Sequence, residues 1–187
     1  MNRFVLIHGM GSSLNSSFGP NIKKRLTNRG YKVIEPILSI KDKITLDSWI
    51  NEMDSLEIND NANFLCHSLG ATFIIKYLFH KKIKANCVIA VPGGLPYDDK
   101  QEGPWRENRI KNFQPTKAEL SYFKKNVKYV YLIHSDNDPI FNQENFNTYI
   151  KNTGAIEIIL SGCGHFGPKS GVKDIPEIED ILDRIEG

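Results

Sequence analysis

Apolar and polar residues alternate along the chain in blocks that predict strands and helices in turn. Six apolar runs have the length of a strand and are rich in valine and isoleucine, and the first, third, fourth and fifth of them are apolar on both faces. Such runs are typical of buried parallel strands, because helices then cover both sides of the sheet. The predicted strands cover residues 3–7, 32–38, 62–66, 86–91, 128–133 and 155–160.

Segments with helical periodicity separate most of these strands. The segment 69–80 is apolar nearly all round, which is typical of a buried helix. Thr116 and Glu119 have the spacing of a capping box at the start of another helix, and Gly30 and Gly154 end two more. The predicted helices cover residues 17–29, 46–56, 69–80, 117–126, 143–152 and 175–185.

The order of elements is therefore a strand followed by a helix, repeated about six times. We predict a three-layer, doubly wound α/β fold in which helices cover both faces of a mostly parallel six-stranded sheet. No linker, repeat or low-complexity tract divides the chain, so residues 1–187 are expected to form a single domain. The stretch 92–116 contains three glycines and four prolines, and we predict a loop insertion near the active site, with Trp105 and Phe113 as candidate substrate-binding residues.

Candidate catalytic residues follow the third, fifth and sixth predicted strands. In an open parallel sheet the functional groups lie beyond the carboxyl ends of the strands, so these residues are expected at one edge. Ser68 comes after the third strand, Asp138 after the fifth and His165 after the sixth. A serine nucleophile needs a histidine base, and the base needs a carboxylate that orients it. The order Ser, Asp, His is that of α/β-hydrolases, and it predicts a catalytic triad.

The segment FLCHSLGAT around Ser68 is close to the nucleophile elbow G-x-S-x-G, but Cys66 replaces the first glycine. A serine at the end of a strand is otherwise well suited to cap the helix that follows. Gly70 gives the backbone of a tight elbow the room that it needs, and together with the later aspartate and histidine it favours the nucleophile. We expect Cys66 to be a small, buried, structural replacement for the glycine.

The base and the acid each have competitors in the sequence. His165 lies in the glycine-rich loop SGCGHFG after the last strand, where the base of such a triad is expected. Asp138 is favoured over Asp136 because Pro139 follows it and imposes an extended conformation, which can aim the carboxylate toward His165. His67 is expected to point away from Ser68 along the turn. The remaining histidines are interpreted as structural or solvent-exposed residues: His8, His80 and His134.

Acyl transfer also needs donors for the oxyanion of the tetrahedral intermediate. The backbone N–H of Leu69, directly after the nucleophile, is one candidate, and the N–H of Met10 in the turn HGMG is the other. A glycine-rich turn after the first strand can also indicate a dinucleotide-binding fold. Against this, the turn lacks the third glycine, and Leu38 and Ser39 stand where an acidic residue would follow the second strand.

The composition narrows the class of function. A net charge of +2 among 187 residues indicates neither a nucleic-acid partner nor binding to an anionic membrane. The three cysteines have no metal-site spacing, and their odd number argues against a disulfide framework. The first apolar run is too short for a signal peptide or a membrane span, so we expect a cytoplasmic protein.

Three motifs in order, CHSLGA, SDNDPI and SGCGHFG, resemble those of the retinoblastoma-binding protein 9 / YdeN-like family of small serine hydrolases, in the α/β-hydrolase superfamily. The resemblance covers essentially the whole chain, from VLIHGMG to the last helix, and includes the stretch PWRENRIKNFQP. It implies a compact α/β-hydrolase fold with a minimal cap, a triad of Ser68, Asp138 and His165, and activity on carboxylic esters and related acyl compounds. It implies no metal and no other cofactor.

The sequence therefore predicts a carboxylesterase-like serine hydrolase that acts on a small-molecule acyl substrate through an acyl-enzyme intermediate. An accessible pocket for small or short-chain acyl groups is expected. Two alternatives stay open at this point. The same residues also serve an amidase, a peptidase or a thioesterase, and family members that are named for a binding partner suggest a binding protein with a vestigial hydrolase site. No feature of the sequence indicates a protein partner.

Overall fold

The computed structural model describes residues 2–11, 13–40, 43–96 and 111–187. Within these ranges the strands are β1 (Arg3–Ile7), β2 (Lys32–Ile34), β3 (Ala62–Cys66), β4 (Ala85–Ala90), β5 (Val127–Ser135) and β6 (Ile156–Leu160). The helices are α1 (Gly19–Asn28), α2 (Leu46–Asp54), α3 (Leu69–Lys81), α4 (Lys117–Asn126), α5 (Gln143–Thr153) and α6 (Ile178–Glu186). Short 3-10 turns lie at Leu14–Ser16, Lys111–Phe113 and Pro168–Ser170.

The strands form one sheet in the order β2-β1-β3-β4-β5-β6. Every described pair of neighbouring strands is parallel, which confirms the predicted α/β fold. β1 lies beside both β2 and β3, and the chain passes from β2 across β1 to reach β3. This change of direction opens a crevice at the carboxyl ends of β1 and β3, where open α/β sheets bind their ligands.

Helices cover both faces of the sheet and divide the core in two. On one face, α1 and α6 pack on strand residues such as Phe4 and Leu65. On the other face, α2, α3, α4 and α5 pack on residues such as Val5 and Phe64. These adjacent strand residues serve opposite faces because side chains alternate along a strand. The three layers are those that the sequence predicts.

Two elements differ from their predicted ranges by three or more residues at one end. The second strand is predicted at 32–38 but ends at Ile34. Pro36 has no N–H group to donate to a neighbouring strand, so the pairing cannot continue through it. The last helix is predicted from Ile175 but begins at Ile178, after a turn in which the Ile178 N–H donates to the Ile175 carbonyl oxygen.

The helix α3 is buried, as its composition predicts, and its first turn lies against the end of β1. A β carbon on Gly70 would lie 2.8 Å from Cγ2 of Ile7 and 2.9 Å from the carbonyl oxygen of His8. Glycine at this position therefore allows α3 to approach β1 closely. Although α3 is apolar, neither it nor any other helix in the described ranges has the length and apolar character to cross a membrane.

We expect Gly70→Ala to lower the free energy of unfolding by about 1–3 kcal/mol, because the added carbon meets main-chain atoms that cannot move aside. The better helix propensity of alanine, worth up to about 1 kcal/mol, offsets only part of this loss. Gly167→Ala is a matched control, since Gly167 has a φ of −80° and no atom lies within 4 Å of the added carbon. Urea denaturation measures both variants, and equal stabilities would contradict the close approach.

Candidate active site

Ser68 lies in the sharp turn between β3 and α3. Its backbone has φ 53° and ψ −117°, a conformation that residues other than glycine rarely adopt. The turn is held by two backbone hydrogen bonds. The Ser68 N–H donates to the carbonyl oxygen of Pro92, at 2.9 Å, and the His67 N–H donates to the carbonyl oxygen of Ile7, at 2.8 Å. The Ser68 hydroxyl makes no capping hydrogen bond to α3. The turn therefore has the strained geometry of a nucleophile elbow and leaves the hydroxyl free for another partner.

That partner is His165, which lies between Ser68 and Asp138. Its Nε2 atom is 2.9 Å from Ser68 Oγ, and its Nδ1 atom is 2.8 Å from Oδ2 of Asp138. Because a carboxylate oxygen only accepts, Nδ1 carries the proton, and Nε2 accepts a hydrogen bond from the serine hydroxyl. The Asp138 side chain is completely buried, and that of His165 is 12% exposed. The structure thus brings the three predicted residues into one hydrogen-bonded chain.

Asp138 is also held from a second side by the main chain. Its Oδ1 atom accepts hydrogen bonds from the N–H groups of Ile140, at 2.7 Å, and Phe141, at 3.0 Å. The Phe141 ring lies edge-on to His165, with 5.2 Å between ring centroids. The main-chain donors stabilise the buried carboxylate and fix its direction toward the imidazole.

Asp136, the alternative acid, contacts the loop before His165 instead of the imidazole. Its carboxylate accepts hydrogen bonds from the Gly162 N–H, at 2.9 Å, and from the Ser161 hydroxyl, at 2.8 Å. The hydrogen bond from Gly162, and then the one from Ser161, lower the pKa of Asp136. Geometry therefore selects Asp138 as the partner of the imidazole and leaves Asp136 to join the loops after β5 and β6.

Ser135 and Asn137 join the same two loops, a role that the sequence analysis did not assign. The Cys163 N–H donates to Ser135 Oγ over 2.8 Å, and the Gly164 N–H donates to Asn137 Oδ1 over 2.7 Å. The Ser135 hydroxyl itself donates to Asn137 Oδ1. The signal available in the sequence was a run of short polar residues after the fifth predicted strand, together with a glycine-rich loop after the sixth. Because neighbouring strands end at the same edge of the sheet, these two segments could have been expected to bond to each other.

Three of the other histidines have partners of their own. The Nδ1 atom of His8 is 2.6 Å from the carbonyl oxygen of the next residue. His134 is buried, and its Nε2 atom lies 2.8 Å from Oε1 of Glu157. His80 lies near the end of α3, with its Nε2 atom 3.2 Å from Oδ2 of Asp54. These contacts agree with their interpretation as structural or exposed residues. In the described part of the chain, no group of three His, Cys, Asp or Glu side chains is placed to hold a metal ion.

His67 has a position that the sequence analysis missed. Its Nε2 atom lies 2.9 Å from the backbone carbonyl oxygen of His165, and the two rings are edge-on with centroids 5.3 Å apart. Burial, and then repulsion from His165, lower the pKa of His67 to about 4, so it is neutral at pH 7. Because a carbonyl oxygen only accepts, Nε2 carries the proton and donates to it. The only signal in the sequence is its place directly before Ser68.

The turn after β1 lies against the elbow. A β carbon on Gly9 would lie 3.0 Å from the β carbon of Ser68 and 2.8 Å from Nδ1 of His67, so glycine is needed for this contact. Met10 follows Gly9 in this turn, and Leu69 follows Ser68 in the elbow. No described residue accepts a hydrogen bond from the N–H group of Met10 or of Leu69. The two candidate oxyanion donors therefore lie in adjacent turns without an acceptor among the described residues.

Cys66, which replaces the first glycine of the elbow motif, is a core residue. Its side chain is fully buried at the end of β3, which is paired there with Ile7 of β1 and Ala90 of β4. Burial raises the pKa of the Cys66 thiol well above its usual value, so the thiol is protonated at neutral pH. These observations agree with the predicted small, buried, structural replacement.

Only one of the two candidate substrate-binding residues, Phe113, lies in the part of the chain that the structure describes. Trp105 lies outside the described residues. Phe113 is completely buried, and its ring is edge-on to Trp49 and close to Phe73, with centroids 5.1 and 6.1 Å away. The expectation that Phe113 contacts a substrate is therefore corrected, because a side chain enclosed by core aromatic rings has no surface to offer a ligand in this structure.

A cleft of about 870 Å³ lies beside the turn after β1. Gly11 and Leu14 line it from this turn, and Leu38 and Ile40 line it from the segment after β2. Ile37, also in its lining, is 94% exposed. The cleft is large enough for a ligand of moderate size and presents apolar surface close to the turn that contains Met10.

Comparison with known proteins identifies the family. A family model described as serine hydrolase matches residues 4–184, nearly the whole chain. The chain belongs to this serine hydrolase family. A search of curated protein sequences found no match.

Solved structures share the fold at low sequence identity. The ydeN gene product from B. subtilis is 18% identical, with a TM-score of 0.85 over 100% of this chain and 99% of that one. A thioesterase domain from the curacin biosynthetic pathway is 14% identical, with a TM-score of 0.67 over 100% and 91% of the two chains. A carboxylesterase structure from the thaumarchaeon Nitrososphaera gargenis is 15% identical, with a TM-score of 0.67 over 99% and 89%. These similarities confirm the predicted YdeN-like, compact α/β-hydrolase fold.

Proposed function

We propose that this chain hydrolyses small carboxylic esters or related acyl compounds through a triad of Ser68, His165 and Asp138. The observation that carries the proposal is the hydrogen-bonded chain from Ser68 Oγ through His165 to Asp138, whose two links measure 2.9 and 2.8 Å. The strained backbone of Ser68 and the match to the serine hydrolase family support the same chemistry.

In the acylation step, His165 Nε2 takes the proton of Ser68 Oγ as the oxygen attacks the ester carbonyl carbon. The N–H groups of Leu69 and Met10 donate to the oxyanion that forms, in a site where removal of one donor typically costs about 100- to 1000-fold in rate. His165 then gives its proton to the leaving alcohol oxygen, and the acyl group stays on Ser68.

In the deacylation step, His165 takes a proton from a water molecule that attacks the acyl-enzyme. The tetrahedral intermediate collapses, Ser68 Oγ recovers its proton from His165, and the carboxylic acid leaves. Asp138 stabilises the imidazolium in both steps and keeps Nδ1 protonated between them. Because Asp138 is buried and already bonded to two main-chain N–H groups, it performs this role without reorganisation.

The cleft beside the turn after β1 accommodates the apolar part of the ester in this proposal. Its apolar lining at Leu14, Leu38 and Ile40 suits a hydrocarbon substituent.

The three cysteines are free thiols, which fits a reducing compartment. On that ground we propose that the protein is cytoplasmic.

A fluorophosphonate probe is expected to label the wild-type protein and not Ser68→Ala, because the probe phosphonylates an activated serine oxygen. Labelling is measured by intact-protein mass spectrometry. Ser161→Ala is a matched control, since Ser161 is an exposed serine of the loop that carries the base, and its loss should leave labelling in place. Equal labelling of wild type and Ser68→Ala would refute Ser68 as the nucleophile.

Asp138→Asn is expected to lower kcat by about 10³- to 10⁴-fold, because an amide can donate to Nδ1 and so favours the wrong imidazole tautomer. Asp136→Asn is the matched control, and we expect a loss of at most about tenfold, because it loosens a loop without touching the imidazole. Initial rates on a chromogenic ester measure both. A larger loss in Asp136→Asn would transfer the role of the acid to Asp136.

The bond that is cleaved is tested with an ester, a thioester and an amide of the same acyl group, compared by kcat/KM. We expect hydrolysis of the ester and the thioester and a much slower reaction of the amide, whose carbonyl is stabilised by resonance and whose amine leaves poorly. A preference for the amide would favour an amidase or peptidase. Absence of turnover on all three, with Ser68 unlabelled, would favour a binding protein with a vestigial site.

A further inference from the structure

His67 links the nucleophile elbow to the loop that carries the base. It directly precedes Ser68, and its backbone N–H is bonded to the end of β1 at Ile7. Its side chain reaches across to the other loop, where Nε2 lies 2.9 Å from the carbonyl oxygen of His165. Nothing in the proposed mechanism uses this side chain, yet it contacts the backbone of the base itself.

The other backbone hydrogen bonds between the His165 loop and the β5 end of the sheet act on neighbouring residues. The Cys163 N–H is bonded to the last residue of β5, Ser135, and the Gly164 N–H is bonded to Asn137 in the loop that follows. Phe166 is fully buried, and its φ of 54° shows that the chain turns sharply directly after His165. Among the described residues, His67 supplies the hydrogen bond to the backbone of His165. This hydrogen bond lies between the bonded N–H groups that precede His165 and the buried Phe166 that follows it.

The environment of His67 suits a neutral donor. Its ring packs edge-on against Phe18 and His165, with centroids 6.1 and 5.3 Å away. The titratable groups around it are His165, Asp138 and His8. The His165 imidazole becomes positively charged in each catalytic step, and a second charge on His67 would repel it. A neutral imidazole donates the hydrogen bond without opposing that charge.

We propose that His67 is a positioning residue of this hydrolase, whose Nε2–H holds the backbone of His165 so that the imidazole stays within reach of Ser68. The inference rests on the proposed function, since it gives His67 a part in the same reaction. The hydrogen bond joins the elbow that contains Ser68 to the loop that contains His165. Its loss lets the base drift from the serine oxygen, which slows proton transfer and leaves substrate binding nearly unchanged.

The test compares two amide side chains of different reach. In His67→Gln, the amide nitrogen stands about as far from the backbone as Nε2 does and can donate to the same carbonyl oxygen. In His67→Asn, the amide is one methylene group shorter and cannot reach it. We expect His67→Asn to lower kcat by about 10- to 100-fold with little change in KM, and His67→Gln to recover most of that loss.

Three measurements accompany the pair: hydrolysis of a p-nitrophenyl ester, the rate of fluorophosphonate labelling, and thermal unfolding followed by circular dichroism. His67→Leu removes the donor altogether and should resemble His67→Asn. His80→Gln is the control, because His80 lies on the surface beside Asp54 and has no contact with the site. It is expected to keep the kcat of the wild type.

Equal losses in His67→Gln and His67→Asn would overturn the proposal, since the ring and not its donor would then matter. Wild-type kcat in His67→Asn would overturn it as well. A His67→Leu variant that fails to fold leaves the Gln and Asn pair to decide. A wild-type protein that neither hydrolyses the ester nor reacts with the probe would instead refute the proposed function, and the positioning role with it.

Discussion

The close contact between the ends of β1 and β3 and the first turn of α3 is the constraint on which the site depends. Gly9 and Gly70 allow it, because a β carbon at either position would overlap neighbouring atoms. The contact holds Ser68 at a positive φ, a backbone strain of about 1–3 kcal/mol. Hydrogen bonds from the elbow to Ile7 and Pro92, each worth roughly 0.5–1.5 kcal/mol, offset this cost.

The proposed acid and base, Asp138 and His165, follow neighbouring strands, so their loops meet at the same edge of the sheet. β5 and β6 are paired through Ser135 and Leu160, the last residues of each strand. Beyond that pair, Asp136 and Asn137 bind main-chain N–H groups of the opposite loop. The position of His165 is therefore determined by main-chain hydrogen bonds on one side and by a buried carboxylate on the other, before any substrate arrives.

The fold and the three candidate catalytic residues follow from the sequence to a large extent, because both leave local signals. Strands that are apolar on both faces identify a parallel sheet, and the carboxyl ends of its strands point to Ser68, Asp138 and His165. The end of β2 was less predictable, since the apolar run continues past Pro36 while the backbone pairing stops at Ile34. Hydropathy reports burial, and it does not report which N–H groups find a partner.

The sequence by itself determined the order of the elements, the Ser–Asp–His order and the family resemblance, because these depend on residue type and spacing along the chain. Only the tertiary structure selected Asp138 over Asp136 as the hydrogen-bond partner of His165, placed Phe113 in the core and brought His67 to the backbone of His165. The physical reason is that these outcomes are contacts between distant segments, such as the hydrogen bond that joins two histidines 98 residues apart. Their distances and directions are set by the packed sheet, and no local pattern records them.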